Sequence, residues 1–208
     1  MNKLNFPHLI IRKIYYFIKF NIFNRNNERF ISNKILKNFC SKIKGEVLNI
    51  GSGDGRDKTG GNYKNYFQDI KNYTTLEYEE GQSDLVGDIQ NMPQLKDEMY
   101  DCILCIYVLE HVKKTDEALK EVSRILKKNG KFIFTVPLNV PYHGYPRDFW
   151  RFSRNDINKM LIENNFSVDQ IKSIGSEREV VLDKNLNFYR ETVARGHYGY
   201  ACIASKLK

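Results

Sequence analysis

The chain is short of the residues that punctuate and stiffen: 208 residues hold five prolines and one tryptophan. It has no internal repeat and no Gly/Ser/Pro-rich linker, so a single folded unit with a full hydrophobic core fits its length. It also lacks the roughly 20 consecutive apolar residues that a bilayer-crossing helix needs. Its most apolar-aromatic stretch, Leu9–Phe20 (LIIRKIYYFIKF), is too short and carries Arg12, Lys13 and Lys19. No small-residue cleavage site follows that stretch, which argues against a secretory signal. The four cysteines (Cys40, Cys102, Cys105, Cys202) are scattered rather than framed for disulfides, which suits a reducing cytoplasm. Cys102 and Cys105 form a C-x-x-C, but on a strand residues i and i+3 point to opposite faces. With no second ligand pair at zinc spacing, they read as core cysteines, and no metal site is expected.

Charge is unevenly spread. The net charge is +8, and residues 1–44 hold ten Lys/Arg against one Glu, so the remainder is nearly neutral. The sequence therefore divides into a basic, aromatic N-terminal helical arm (1–42) and a folded domain (43–208). Such an arm fits a helical cap over a ligand site. A helix with this basic face also fits peripheral docking on an anionic membrane surface, in which case the cytoplasmic protein would sit at the inner membrane. It contains no nucleic-acid recognition module, and no nucleic-acid partner is expected. Nothing in the sequence speaks to oligomeric state.

From about Ile43 onward, strand-like and helix-like stretches alternate, the pattern of a mostly parallel sheet with helices on both faces. Val47-Leu48-Asn49-Ile50 runs into Gly51, Gly53 and Gly55, a turn free of Cβ atoms where backbone can approach a ligand. In open α/β sheets such turns, at the carboxyl ends of strands, border the ligand crevice. The third glycine of the dinucleotide fingerprint is missing, because Arg56 stands there, which argues against a nicotinamide oxidoreductase. Thr74–Glu77 reads as a second strand ending in an acid, suited to accepting hydrogen bonds from two ribose hydroxyls. Asp88-Ile89 closes a third, and Tyr100–Ile106 is a nearly continuous apolar strand that leads into Tyr107-Val108-Leu109-Glu110-His111-Val112.

This G-x-G-x-G turn and the spaced acids and post-strand motif that follow it resemble the class I S-adenosylmethionine (SAM) methyltransferases. The resemblance implies an α/β Rossmann-like fold: a seven-stranded, mostly parallel sheet with an antiparallel edge hairpin. SAM is the cofactor it implies, with contacts from Gly51, Ser52, Gly53, Gly55, Glu77, Asp88, Ile89 and Tyr107. In the family, the residue matching Asp88 contacts the adenine amino group and its apolar neighbour covers the ring. Asn49 departs from the family pattern, standing where an acid is usual. The helix that normally follows the glycine turn is expected to be short, starting near Tyr63. Some relatives bind a divalent metal through E-x-x-E-H; here Tyr107 replaces the first carboxylate.

Further on, Ala118, Leu119, Val122, Ile125 and Leu126 form one helical stripe, with Thr115 or Asp116 expected to cap its start and Asn129-Gly130 to stop it. Ser153 and Asp156 read as a capping box. Lys131–Val136, Ser167–Ile174 and Tyr198–Ser205 are the last strands, and residues 177–195 read as a helix plus a loop. After Lys131–Val136 comes the least generic segment, Pro137–Phe152, rich in aromatics, with His143, Arg147, Asp148 and Arg151. It resembles an H-x-x-P-x-D-F-W-R-F pattern in methyltransferases of bacterial surface-polysaccharide biosynthesis. The expected acceptor is therefore a sugar, nucleotide-sugar or glycan-linked molecule, held by Tyr142, Arg147, Trp150 and Arg151. His143 and His111 are the candidate general bases, since neutral imidazole takes up a proton near pH 7. Local packing of Phe149 and Phe152 and an Asp148–Arg151 pair are the plainer reading of part of this loop. Alternatives are a quinone- or lipid-type small-molecule methyltransferase and a non-catalytic SAM-binding partner protein.

Overall fold

The computed structural model describes residues 28–57, 59–140, 142, 147–175 and 197–207. The arm up to residue 27, His143 and residues 176–196 lie outside that set, as do the expectations placed on them. The strands are β1 (Lys44–Ile50), β2 (Asp69–Glu77), β3 (Leu85–Val86), β4 (Tyr100–Ile106), β5 (Leu126–Pro137), β6 (Phe166–Gly175) and β7 (His197–Lys206). They form one seven-stranded sheet in the order β3-β2-β1-β4-β5-β7-β6. The first five strands pair in parallel, whereas β7 inserts antiparallel between β5 and β6. This is the expected mixed sheet with its antiparallel edge pair.

Because successive strand residues face opposite sides, the apolar run of β4 feeds two cores at once. Ile103 and Cys105 join Leu48, Phe132 and Phe134 on one face. There they meet Leu119 and Val122 of α2 (Thr115–Ile125) and Ile157 and Leu161 of α3 (Arg154–Glu163). Cys102 and Leu104 join Val47 and Ile133 on the other, under Leu36, Phe39 and Cys40 of α1 (Glu28–Cys40). The two C-x-x-C thiols thus lie on opposite faces, both buried. Burial pushes both thiols well up from their ordinary value, so they are neutral packing groups.

Helix α1 places Leu36, Phe39 and Cys40 at i, i+3 and i+4, one apolar stripe pressed on the sheet. Each such large side chain contributes about 1.5–3 kcal/mol on burial. Beside it, the segment after the glycine turn folds only into a 3-10 turn, Tyr63–Tyr66, whose Asn62 cap accepts from the Lys64 N–H. The short helix expected near Tyr63 is this turn, and α1 packs against it.

Helix α3 carries its capping box as expected: the Ser153 hydroxyl accepts from the Asp156 N–H, and the Asp156 carboxylate accepts from the Ser153 N–H at 2.8 Å. Two expectations for α2 fail. Its cap position is Lys114, with no side-chain cap, because Thr115 already lies inside the helix and its hydroxyl turns back to the Val112 carbonyl at 3.4 Å. Its end is Ile125, four residues before the expected Asn129-Gly130 stop. Asn129 does adopt the left-handed conformation (φ 62), but within the irregular start of β5, where pairing jumps from Tyr100↔Leu126 to Cys102↔Lys131. The left-handed residue is where the sequence pattern predicts it, but it lies in β5 instead of ending α2.

Candidate functional site

The carboxyl ends of β1, β2 and β4 converge on the glycine turn. Leaving Ile50, the chain takes φ of 75° at Gly51 and 59° at Gly53, a backbone that L side chains resist. The Gly51 N–H donates to the Leu76 carbonyl at 2.9 Å, tying the turn to β2. A Cβ at Gly51 would lie 2.3 Å from Val108 Cγ2, so the turn is packed tightly against the chain leaving β4. A Cβ at Gly53 would meet nothing within 4 Å, so that side of the turn is open. Glu77, at the end of β2, accepts a hydrogen bond from the Gly53 N–H. An acidic group at the lip of an open, Cβ-free turn suits a nucleoside with its hydroxyls toward the carboxylate and its chain along the glycines. The residues present fit SAM.

Asp88 sits just past β3 with its backbone set by an Asx turn, the Gln90 N–H donating to Oδ1 at 2.8 Å. The Gln90 side-chain amide also reaches both carboxylate oxygens, at 3.1 and 3.0 Å. Ile89 beside it is buried. Ser52 accepts a hydrogen bond from Asn49 Nδ2, which also donates to the Tyr73 hydroxyl at 2.7 Å. Asn49 is therefore a structural link between β1, β2 and the turn.

Tyr107 follows β4 with φ of 54°, an uncommon conformation for a large side chain. Its N–H is held by Thr135 on β5, through the carbonyl and Oγ1, both at 3.1 Å. The Arg29 guanidinium of α1 stacks 3.9 Å from the centre of its ring. Arg29 thus reaches the sheet end from a distant helix. No local motif marks it, and sequence reasoning missed it.

The segments after β4 and β5 clasp one another. The Glu110 carbonyl accepts the Phe149 and Trp150 N–H groups at 2.7 and 3.3 Å. His111 Nδ1 lies 2.6 Å from the Arg147 carbonyl, and Trp150 Nε1 donates to the Val112 carbonyl at 2.8 Å. Since a carbonyl only accepts, His111 carries its proton on Nδ1 in that contact. Arg151 pairs bidentately with Asp148, its Nη2 lying 2.6 Å from Oδ2, and also reaches the Trp150 carbonyl at 2.8 Å. The local Asp148–Arg151 pairing weighed from the sequence is present. Phe152 is buried, whereas Tyr142, Phe149 and Trp150 are exposed at 72%, 39% and 45%. These rings present surface that the core does not use.

Beneath the clasp lies Glu110, with a side chain fully removed from solvent and, among the described residues, no side-chain partner hydrogen-bonded to either carboxylate oxygen. Its Oε1 is 4.0 Å from His111 Nε2. Burial, with the Asp148 carboxylate adding to it, pushes the Glu110 carboxyl up to about 8, against the pull of Arg151 and Arg29. A separate hollow of about 490 Å³ opens beside Trp150 between the starts of α2 and α3. Its lining mixes Lys113, Lys114 and Lys120 with Asp116, Glu117 and Asp156, which gives it no charge preference. Among the described residues, no group of three or more His, Cys, Asp or Glu is arranged to hold a metal.

Comparison with known proteins agrees with this geometry. Residues 48–134 match the family model described as a methyltransferase domain. An uncharacterized protein of Methanocaldococcus jannaschii is 34% identical over 103 residues, 49% of this chain and 45% of that protein. The chain therefore spans less than half of that curated relative. Among solved structures, a putative methyltransferase of Haloferax volcanii in complex with the Trm112 methyltransferase activator aligns with a TM-score of 0.63 at 16% identity. That alignment covers 91% of this chain and 96% of the other. The 1,6-didemethyltoxoflavin-N1-methyltransferase of Burkholderia thailandensis, with S-adenosylhomocysteine bound, aligns with a TM-score of 0.61 at 14% identity, over 100% of this chain and 93% of the other. The fold is that of these methyltransferase structures, and residues 48–134 are similar to a methyltransferase domain.

Proposed function

We propose that the chain transfers a methyl group to a hydroxyl-bearing sugar, nucleotide-sugar or glycan-linked acceptor lying across the Tyr142–Arg151 segment. The observation that carries the cofactor half of this reading is the Glu77 carboxylate meeting the Gly53 N–H in a turn that is open where a Gly53 Cβ would stand. Bound SAM supplies an activated methyl on a sulfonium centre. Gly51, Ser52, Gly53 and Gly55 would follow its chain, Glu77 its ribose, Asp88 and Ile89 its adenine, and Tyr107 the end nearest the acceptor. The protein's task is mainly positional, since an attacking oxygen must come within about 3–3.5 Å of the methyl carbon.

On the acceptor side, the exposed faces of Tyr142 and Trp150 suit the apolar face of a sugar ring, with Arg147 meeting an anionic group. The hydroxyl must lose its proton as it attacks, and the imidazole of His143 is the group we assign to accept it. His111 faces Arg147 with one nitrogen and Glu110 with the other, so it suits a supporting role better. Arg151, already paired with Asp148, would act by holding the loop.

A small-molecule acceptor is the second reading, since the Burkholderia neighbour that aligns over the whole chain is named for N-methylation of a small heterocycle. A non-catalytic SAM-binding role within a complex is the third, because the Haloferax neighbour is paired with an activator. The N-terminal arm (1–42), of which Glu28–Cys40 is α1, is proposed to cap the site or touch a membrane surface. Among the described residues no helix is long and apolar enough to cross a membrane.

Isothermal titration with SAM is the first test, with binding expected at tens of micromolar or tighter. Absence of binding would remove all three readings. S-adenosylhomocysteine release in the presence of nucleotide-sugars, with none from quinones or lipids, supports the glycan-type acceptor; the opposite pattern transfers the assignment to the second reading. Binding without turnover on any acceptor favours the third.

A further inference from the structure

We propose that Arg29 makes the crevice selective for a methyl donor that carries a carboxylate, holding that group at the β4 end of the glycine turn. This inference rests on the reading of the crevice as a SAM site and names a further residue of it. Helix α1 turns into β1 within three residues, the Ile43 N–H donating to the Cys40 carbonyl at 3.0 Å. Pressed on the sheet through Leu36 and Phe39, it runs antiparallel to β1, so its first turn arrives at the carboxyl edge of the strands. Two contacts fix it there. Asn33 Nδ2 donates to the Asp57 carbonyl, just past the glycine turn, at 3.2 Å. The Arg29 guanidinium lies 3.9 Å from the centre of the Tyr107 ring, one residue beyond β4. Tyr63 is a second aromatic neighbour: burial pushes its phenol up to about 12, against the charge of Arg29 and the hydrogen bond between them. A helix and two aromatic residues thus hold one cation, its side chain only 25% exposed, at the edge of the crevice.

The order of the strands decides which part of the donor meets it. Along the carboxyl edge the sheet runs β3, β2, β1, β4. Asp88, after β3, and Glu77, at the end of β2, are the acids assigned to adenine and ribose, and the glycines after β1 come next. Gly51 is packed on Val108, so the next groups along the edge are those leaving β4. A ligand laid in that order brings its amino-acid end to Tyr107 and Arg29. Adenosine offers hydroxyls and an amine, which acids can accept, whereas the amino-acid end offers a carboxylate, which needs a donor. A guanidinium repels the ammonium and the sulfonium, so the carboxylate is the group Arg29 can hold. Stacking on Tyr107 uses the face of the guanidinium, while its N–H donors lie in the plane. Glu28 meets Nε at 3.5 Å, and the remaining N–H groups are on the terminal nitrogens. Of the other arginines near this edge, Arg56 pairs with Asp54, Arg151 with Asp148, and Arg147 belongs to the acceptor segment. Partial burial strengthens the attraction, because less water screens it.

Titration calorimetry on the full-length protein tests this with two ligands that differ only in the carboxylate. They are S-adenosylhomocysteine and its decarboxylated analogue, S-adenosyl-3-thiopropylamine. Wild type should prefer S-adenosylhomocysteine by about 10-fold or more. Arg29→Gln should lose about 10- to 100-fold in affinity for S-adenosylhomocysteine and bind the analogue within about threefold of wild type, so the preference disappears. Arg29→Lys keeps the charge without the planar fork and should lose part of the preference. If Arg29 only props Tyr107, Arg29→Gln weakens both ligands alike, and that result overturns the proposal. An unchanged preference in either variant does the same, so Arg29→Lys decides if Arg29→Gln does not fold. A wild type that binds both ligands equally also overturns it, and leaves the SAM reading standing. A wild type that binds neither ligand removes the SAM reading and this inference with it.

Discussion

The Glu77 carboxylate, at the end of β2, accepts a hydrogen bond from the backbone N–H of Gly53, in the turn that follows β1. Two neighbouring parallel strands thereby present one acid and one Cβ-free backbone at a common edge of the crevice. Charge-assisted hydrogen bonds of this type contribute about 1.5–3 kcal/mol each. Glu77→Ala should therefore weaken S-adenosylhomocysteine binding by about 10- to 100-fold. Titration calorimetry checks this, with circular dichroism to show an unchanged fold. An affinity within a factor of two of wild type would detach Glu77 from the cofactor.

Two glycines two residues apart should behave differently. Both have positive φ, so alanine costs about 1 kcal/mol or more of backbone strain at either. At Gly51 the new methyl would also meet Val108 Cγ2 at 2.3 Å, adding overpacking of about 1–3 kcal/mol. At Gly53 it points into open space. Gly51→Ala should lower the melting temperature clearly more than Gly53→Ala, whose smaller loss should nevertheless come with loss of cofactor binding. Differential scanning fluorimetry with and without S-adenosylhomocysteine separates the two.

Much of this site was legible because its chemistry sits on consecutive residues. The glycine turn, the acid 24 positions after Gly53 and the apolar β4 run each follow from local sequence, and the structure brings them together. The Ser153–Asp156 capping box was legible for the same reason. What escaped was non-local. Arg29 reaches Tyr107 from another element, and no spacing rule connects them. The Asn129 turn shows the opposite failure, since the residue took its expected left-handed conformation while the helix had already ended at Ile125. Tertiary pairing with β4 set the helix end, and propensity did not.

The Glu110 carboxyl also predicts how stability varies with pH. Its folded value of about 8 lies above the ordinary 4.5. Between those values the folded protein keeps a proton that the unfolded chain has released, so this group makes stability fall as pH rises through that window. Above about 8 the carboxyl is ionised in both states, and the loss levels off. Each unit corresponds to about 1.4 kcal/mol, so the whole window amounts to several kcal/mol as an upper figure. Glu110→Gln lacks the titration and should melt above wild type by a margin that widens from pH 5 to pH 8. A constant margin across that range would show that Glu110 is ionised inside the fold.

Asp57 joins the glycine turn to α1, and its removal should be felt at both. Its buried carboxylate accepts hydrogen bonds from the Tyr66 hydroxyl at 2.6 Å, the Thr59 hydroxyl and N–H at 2.9 and 2.8 Å, and the Gly61 N–H at 2.9 Å. Its carbonyl accepts from Asn33 of α1 at 3.2 Å. Burial alone would push this carboxyl up, but the donors around it outweigh that and hold it below its ordinary value. A depressed value means the stabilisation is complete above the ordinary carboxylate range and disappears as pH falls through the folded value. Asp57→Ala strands several donors at once and should cost about 3 kcal/mol or more at neutral pH. Asp57→Asn, with one acceptor oxygen left, should lie between the two and lose the acid-sensitive part. Because the loop it braces follows directly on Gly55, both variants should also bind S-adenosylhomocysteine more weakly. Acid unfolding monitored by circular dichroism gives the first result and calorimetry the second. A neutral-pH stability equal to wild type in Asp57→Ala would mean that α1 holds the turn through packing of Leu36 and Phe39 alone.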